Sequence, residues 1–149
     1  MSGSGFAGRM GAAAIVAFVA AGAGVSATAA ASSPSSRTCP SASEVNTDLG
    51  VHVKAPTSKT TTYSKTCSYG GSVVPTMVTF QVDTAASFAA GENAVEKAEG
   101  VVKIKGLGQA AWATKAGGSL YVYDNGQTVK IISILVPTAK LEVLARKLI

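Results

Sequence analysis

One dipeptide, Asn125-Gly126, constrains the fold more than any other feature of the sequence. It lies between an alternating stretch, Ser119 to Tyr123, and an apolar stretch, Thr128 to Val136. Asn and Gly accept the positive φ angles of a two-residue turn, so this pattern predicts an antiparallel hairpin. The returning stretch is apolar at both alternating sets of positions, which is typical of a central strand. Its large apolar residues are Ile131, Ile132, Ile134 and Leu135.

Three helices are predicted around this hairpin. Ser41-Ala-Ser-Glu44 is a capping box that begins a short helix over 41–49, and Gly50 stands at its C-cap. Residues 84–99 predict a second helix, which a central glycine weakens by about 1 kcal/mol relative to alanine. A third helix follows Pro137, because Leu141, Leu144, Ala145 and Leu148 share one helical face.

The remaining stretches complete an α+β fold. Strand-like segments are 60–69, 77–82, 101–105 and 110–115, whereas 51–59 is predicted as a loop. In 77–82, the alternation places Val78, Phe80 and Val82 on the buried face. We therefore predict an antiparallel sheet of about five strands with helices packed on one face, in the order α-β-β-α-β-β-β-α. Residues 39–149 are predicted to form a single α+β domain.

The first 30 residues are typical of a secretory signal peptide. A polar segment with Arg9 precedes an apolar run over 10–21, and small residues follow. Cleavage is expected at one of two A-x-A sites, Ala27-Thr28-Ala29 or Ala29-Ala30-Ala31. The apolar run is shorter than the ~20 residues that span a bilayer, and no later segment could span one. We expect a secreted or extracytoplasmic envelope protein, with residues 31–38 as a flexible lead-in.

Cys39 and Cys67 are the only cysteines. In an exported chain they are expected to form one disulfide, which would join the start of the first helix to the strand at 60–69. Their spacing differs from the C-x-x-C of redox enzymes. A zinc site would need further ligands, and His52 is the only histidine, so no metal is expected.

Charge and motifs exclude several function classes. The formal net charge is +5, but Lys and Arg are scattered rather than gathered with aromatics, so nucleic-acid binding is not expected. No G-x-S-x-G motif is present, and His52 lies in a predicted loop without a neighbouring acid. Glu92, Glu96 and Glu99 share one helix face and are best explained as a solvated surface. No catalytic residue is therefore assigned, and no enzyme activity is expected.

The segment Gly106-Leu-Gly-Gln-Ala-Ala111 matches a relaxed dinucleotide-binding pattern. That chemistry requires a helix directly after the glycines, so that its N-terminal amides reach a pyrophosphate. Here Trp112 and a hairpin follow instead. The glycines are therefore predicted to form a tight bend, and no cofactor is expected.

Trp112, Tyr121 and Tyr123 form the candidate binding surface. Tyr121 and Tyr123 alternate with Leu120 and Val122, so the tyrosines face away from the core if the Leu/Val side is buried. An exposed aromatic strip on a sheet could bind a peptide, sugar or lipid. The alternative is that these rings pack beneath a helix or loop.

These segments together resemble a broad group of actinobacterial exported domains of unknown function, which share paired cysteines and a Val/Ile-x-Gly-Leu-Gly-x-Ala motif. The matching segments are Cys39, Leu49-Gly50, Cys67-Ser-Tyr69, Ile104 to Trp112 and Tyr123 to Gly126. The resemblance implies an envelope or secreted location and a paired disulfide, and it implies no established activity. Many members are lipoproteins, but Cys39 here follows polar and charged residues rather than a small apolar box.

The leading hypothesis is an exported, non-enzymatic binding or interaction module with an unknown small-molecule or protein partner at the cell envelope. The alternative is a secreted inhibitor or effector of a partner protein. A hydrolase is the third hypothesis, and it would need a polar cleft that brings His52 to an acid. An enclosed apolar pocket would favour a small or lipidic ligand.

Overall fold

A computed structural model describes residues 33–71 and 75–149. The predicted leader and its cleavage site at 29–31 lie outside the described residues. The helices are α1 (Ala42–Leu49), α2 (Ala85–Ala98) and α3 (Thr138–Leu148). The strands are β1 (Thr57–Thr60), β2 (Ser64–Tyr69), β3 (Thr76–Val82), β4 (Val101–Lys103), β5 (Ala110–Thr114), β6 (Ser119–Asp124) and β7 (Gln127–Ser133).

The α+β class is confirmed, with one antiparallel sheet in the strand order β1-β2-β3-β7-β6-β5-β4. Two meanders, β1 to β3 and β4 to β7, meet where β3 pairs with β7. The prediction of about five strands was wrong, since seven form, and the element order is α-β-β-β-α-β-β-β-β-α. The missed strand β1 lies in the predicted loop 51–59. All four of its residues are exposed at the sheet edge, so no apolar alternation marks it.

The Asn125-Gly126 hairpin forms as predicted. Asp124 pairs with Gln127, and the two turn residues have φ angles of 46° and 77°. The central position of β7 is also confirmed, but the strand ends at Ser133. Ile134 and Leu135 were expected within the strand and instead form an exposed turn, with 53% and 85% of their surfaces accessible.

One side of the sheet, called here the core face, carries Val78 and Phe80 of β3, Leu120 and Val122 of β6, and Val129 and Ile131 of β7. These side chains are buried in one cluster with residues of α1 and α3. The helix residues are Val45, Leu49, Leu141, Leu144 and Ala145. Val82 was predicted on the buried face but is 38% exposed, because it is the last residue of β3 and lies beyond the helices.

The predicted capping box begins α1: the Glu44 amide donates to Ser41 Oγ, and the Ser41 amide donates to Glu44 Oε2. Gly50 ends the helix with a φ of 70°, as expected for a left-handed C-cap. The Cys39–Cys67 disulfide is confirmed with a Cα–Cα distance of 5.8 Å, and it joins the segment before α1 to the buried side of β2.

The segment before Cys39 differs from the predicted flexible lead-in over 31–38, of which residues 33–38 are described. Pro34 is buried within a short 3-10 turn. The Arg37 guanidinium donates to Gln127 Oε1 at 2.9 and 3.1 Å and to the Leu148 carbonyl at 3.2 Å. Arg37 also lies 5.8 Å from the Phe80 ring centroid. These contacts hold the segment against β7 and the end of α3.

The second side of the sheet, called here the groove face, includes Trp112, Tyr121 and Lys130. Helix α2 packs on this side, because Phe88 contacts the rings of Trp112 and Tyr123. The prediction that the helices pack on one face was therefore wrong for α2. Its apolar pattern showed which side of the helix is buried but carried no information about which sheet face receives it. Among residues 33–71 and 75–149, no helix is both long and apolar enough to cross a bilayer.

Candidate functional site

A single row of directly paired residues crosses all seven strands on the groove face. Each pair is a cross-strand neighbour on the same side of the sheet. From β1 to β4 in spatial order, the row is Lys59, Thr66, Thr79, Lys130, Tyr121, Trp112 and Lys103. The row is therefore polar over the first meander and aromatic where the second meander passes beneath α2.

The aromatic part of the row is tightly packed. The Trp112 and Tyr121 rings stack with centroids 3.8 Å apart and an interplanar angle of 15°. Phe88 of α2 lies 6.1 Å from Trp112 and 5.6 Å from Tyr123, centroid to centroid. Offset and tilted ring pairs of this kind are favourable beyond the area that they bury. They fix the position of α2 above β5 and β6.

A groove of about 280 Å³ separates α2 from the sheet beside this aromatic cluster. This volume is at the small end of the ~300–1,000 Å³ typical of ligand sites, so the groove suits a compact ligand. The helix contributes Phe88, Gly91 and Val95, and the sheet contributes Trp112, Tyr121 and Lys130. One wall is therefore apolar, and the opposite end carries a cation.

Gly91 borders the groove. It lies within α2, where glycine costs about 1 kcal/mol relative to alanine. A Cβ built at Gly91 would meet no heavy atom of its packing neighbours within 4 Å, and its φ is not positive. Neither backbone geometry nor close packing therefore requires glycine here.

Helix α2 is held by few contacts. Before the helix, the Asp83 amide donates to the Gly126 carbonyl at 3.0 Å, and Thr84 Oγ1 caps the helix by accepting from the Ser87 amide. In the middle of the helix, Glu92 forms an ion pair with Lys103 at 3.1 Å. Phe88 is the one buried residue of α2.

The charged groups of the groove are unequally partnered. Asp83 is committed, because its Oδ1 accepts from the Thr84 amide and its Oδ2 accepts from Thr128 Oγ1, both at 2.8 Å. The Lys130 ammonium lies 5.0 Å from the Tyr121 ring centroid, a cation–π contact. The described residues form three ion pairs, and Lys130 takes part in none of them.

Trp112 carries a second donor without an acceptor. The residue is 2% exposed, and its indole Nε1 is buried without a hydrogen-bond partner among the described residues. An unpaired buried donor costs roughly 1–3 kcal/mol. Because Nε1 is itself buried, it is not part of the groove surface, and Lys130 is the charged donor of the groove wall.

The structure separates the three predicted surface residues. Trp112 and Tyr121 line the groove, and Trp112 and Tyr123 both pack against Phe88 under α2, as the alternative interpretation expected. Sequence reasoning missed Gly91 and Lys130 as site residues. Lys130 could have been found by counting back across the Asn-Gly turn, since a two-residue loop pairs Asp124 with Gln127 and therefore Tyr121 with Lys130.

The other sequence candidates lie away from this groove. Gly106 and Gly108 form the predicted bend with φ angles of 70° and 59°, and strand β5 rather than a helix follows. A Cβ at Gly108 would lie 2.7 Å from the Tyr123 carbonyl oxygen, which explains glycine there by close packing. A second depression of about 330 Å³ borders this bend, but Glu92 and Lys103 in its wall already pair with each other.

His52 is exposed in the loop between α1 and β1, and it makes no hydrogen bond or ion pair within the described part of the chain. In that same part, no three His, Cys, Asp or Glu residues gather as metal ligands.

Two pKa shifts are structural and lie outside the groove. Hydrogen bonds from Ser41 lower the pKa of Glu44, and burial raises the pKa of Tyr69, whose hydroxyl donates to the Pro40 carbonyl at 2.7 Å.

Comparison with known proteins gives no match to a protein family, a curated protein or a solved structure. The function is therefore inferred from the geometry of the groove.

Proposed function

We propose that this protein is an exported, non-enzymatic binding module that holds a compact ligand in the groove between α2 and the groove face of the sheet. The ligand would lie beside the stacked Trp112 and Tyr121 rings, with Gly91 above it and Lys130 at one end. Export is supported by the signal-like leader in the sequence and by the Cys39–Cys67 disulfide, which is compatible with an oxidising compartment.

The observation that carries the proposal is the glycine at position 91. A methyl group there would enter open space and would strengthen the helix, because alanine has the higher helix propensity. The chain instead has a residue that weakens α2 at the groove. A glycine in this position, beside an aromatic and cationic wall, is expected where a ligand needs room, because function at a binding site can oppose stability.

The described lining residues favour binding over catalysis. Ser87 Oγ accepts a hydrogen bond from Thr84 Oγ1, so this hydroxyl is paired with another hydroxyl rather than with a base. Both oxygens of Asp83 accept hydrogen bonds that hold the start of α2. General-base activation of a nucleophile needs a base within hydrogen-bond reach, and these contacts provide none. The remaining groups, which are the Trp112 and Tyr121 rings and the Lys130 ammonium, are suited to holding a ligand.

The test is a fragment screen by two-dimensional NMR on the disulfide-bonded protein. Trp112 is the chain's single tryptophan, so its indole N–H signal reports directly on the groove wall. We expect a subset of compact fragments to shift this signal together with the amides of Gly91 and Tyr121. Gly91→Leu should abolish these shifts, because the leucine side chain would occupy the groove.

Ala90→Leu is the matched control, since Ala90 is the exposed neighbour of Gly91 in the same helix. It adds the same side chain to α2 on the solvent side and should leave fragment binding unchanged. The proposal is wrong if no fragment shifts the Trp112 signal. It is also wrong if Gly91→Leu folds and binds the same fragments as the wild-type protein.

A second candidate function, an inhibitor or effector of a partner protein, is favoured by the turn after β7. The Val136 amide donates to the Ser133 carbonyl, and Leu135 has a φ of 69° at the third turn position, where glycine is usual. Leu135 is also 85% exposed. Native mass spectrometry of the protein recovered from medium and envelope separates the two functions. A protein-sized partner that is lost in Leu135→Asp but kept in Gly91→Leu would favour this one.

A further inference from the structure

The groove contains a cation, Lys130, that forms no ion pair within the described residues. Lys130 is half-buried in the centre of β7, and its ammonium faces the Tyr121 ring at 5.0 Å. It belongs to none of the three ion pairs among the described residues. A cation beside an apolar wall is poorly solvated by comparison with one on an open surface, so an anionic ligand would interact with it more strongly there.

The acid of the groove forms no ion pair with Lys130. Each oxygen of Asp83 accepts a hydrogen bond at 2.8 Å, one from the Thr84 amide and one from Thr128 Oγ1. The carboxylate also precedes the N-terminus of α2, where the helix dipole favours a negative charge. Asp83 is therefore held at the start of the helix, and the Lys130 ammonium remains available to a ligand.

The uncharged part of the site is flat and apolar. Trp112 and Tyr121 stack with centroids 3.8 Å apart, and Phe88 and Val95 of α2 line the same groove. Tyr121 lies between Trp112 and the Lys130 ammonium, so a ligand ring would pack against the accessible part of Tyr121 and against the apolar side chains of α2 rather than on a free face of the stack.

We propose that the groove binds small organic anions in which a carboxylate is attached to a flat apolar ring. The carboxylate pairs with the Lys130 ammonium, and the ring packs against Tyr121 and the apolar side chains of α2 that line the groove. The volume of about 280 Å³ restricts the ligand to a single ring with a short chain. This inference rests on the proposed function, since it names the ligand class of the same groove.

Three probes of one shape and different charge test the inference. Phenylacetate, phenylacetamide and phenethylamine share a phenyl ring and a short chain and carry a negative, a neutral and a positive group. Binding is followed by the emission of Trp112, the only tryptophan, under tryptophan-selective excitation. We expect phenylacetate to bind about tenfold more tightly than phenylacetamide, and phenethylamine to bind most weakly. Added salt should narrow this range because it screens the Lys130 charge.

Variants of two lysines on one row of the sheet make the test specific. Lys130→Gln should bring the affinity for phenylacetate down to that for phenylacetamide, while Lys130→Arg should preserve the preference. Lys59 lies on the same row at the exposed edge strand and is not in the groove wall, so Lys59→Gln should change none of the three affinities. This control separates pairing with Lys130 from a general effect of net charge.

The outcomes for this inference and for the proposed function are distinct. Equal or tighter binding of the amide or the amine would overturn the anion preference, while loss of that binding in Gly91→Leu would leave the groove as the site. A carboxylate preference that survives Lys130→Gln would also overturn the inference. If none of the three probes changes Trp112 emission, the inference is wrong, and the fragment screen with Gly91→Leu decides the proposed function independently.

Discussion

The two faces of one sheet are built by different rules. On the core face, Phe80, Leu120 and Ile131 are almost wholly buried in one cluster with α1 and α3. On the groove face, α2 buries Phe88 and leaves open space at Gly91. The alternation of each strand supplies both faces at once, because neighbouring residues of a strand point to opposite sides. One face thus stabilises the fold, and the other is free to carry a site.

Two phenylalanines, one on each face, give the largest expected contrast. Phe80→Ala on the core face should lower the free energy of unfolding by about 3–5 kcal/mol, the usual cost of emptying a packed aromatic site. Phe88→Ala should cost less in global stability, because α2 can detach while the sheet and the other two helices remain folded. Chemical denaturation measures the first effect, and amide hydrogen exchange measures the second.

The exchange pattern decides whether the faces are independent. In Phe88→Ala, protection should fall across residues 85–98 and persist in β3, β6 and β7. Equal loss of protection throughout the sheet would contradict the division into two faces, since it would mean that α2 is part of the same cooperative unit as the core.

The disulfide gives a further comparison of the two sheet faces, because its Cys67 is buried on the core face. Replacing both cysteines by serine should lower the free energy of unfolding by about 3.5 kcal/mol, from the chain entropy of a 28-residue separation. The affinity of the folded variant for groove ligands should stay unchanged. Chemical denaturation of the variant, the wild-type protein and the reduced wild-type protein measures the change in the free energy of unfolding. Trp112 emission measures ligand binding.

The helix caps provide a smaller contrast with a pH dependence. Ser41→Ala removes the cap of α1, and Thr84→Ala removes the cap of α2, and each should cost about 1 kcal/mol of helix stability. In the cap of α1, hydrogen bonds from Ser41 lower the pKa of Glu44 in the folded protein. An acid with a lowered folded pKa stabilises the fold above its unfolded pKa, and this stabilisation is lost as the pH falls through the folded pKa.

The pH prediction is measured by comparing unfolding curves of the wild-type protein and Glu44→Gln from neutral to acidic pH. The difference between the two should shrink as the pH falls through the pKa of Glu44. A constant difference across this range would show that the carboxylate adds nothing beyond the geometry of the cap.

Features that depend on short-range or pairwise residue preferences were predictable from the sequence, and features that depend on tertiary packing were not. The capping box at Ser41, the Asn125-Gly126 hairpin and the disulfide all depend on residues with strong short-range or pairwise preferences, and all three are confirmed. The edge strand β1 has no apolar residue, so nothing in its pattern separates it from a loop. The placement of α2 depends on which face of the sheet is left vacant by α1 and α3, which is a tertiary effect.

The candidate site was predictable in part. Tyr121 was identified because tyrosines alternate with buried residues in β6, and Trp112 was grouped with it as a neighbouring aromatic. The position of Lys130 opposite Tyr121 follows from the fixed register of the hairpin. Gly91 was interpreted from sequence only as a weak point of the helix. Its role depends on the absence of neighbours around it, and that absence becomes visible only when α2 has been placed over the sheet.

The central claim is that Gly91 lowers the stability of α2 and leaves room for a ligand in the groove. Two variants with opposite changes, Gly91→Ala and Ala90→Gly, test this claim. Gly91→Ala should raise helix stability by up to about 1 kcal/mol. The same change should weaken the affinity for the strongest fragment of the Trp112 screen roughly fivefold or more, since overlap with one added methyl costs at least about 1 kcal/mol. Ala90→Gly should lower stability by a similar amount and leave that affinity unchanged.

The measurement is therefore stability and fragment affinity on the same two variants, by chemical denaturation and by titration of Trp112 emission. Opposite changes in Gly91→Ala, a more stable protein that binds more weakly, are the predicted result. A Gly91→Ala protein that is more stable and binds as well as the wild-type protein would show that the space at Gly91 is incidental, and it would contradict the account.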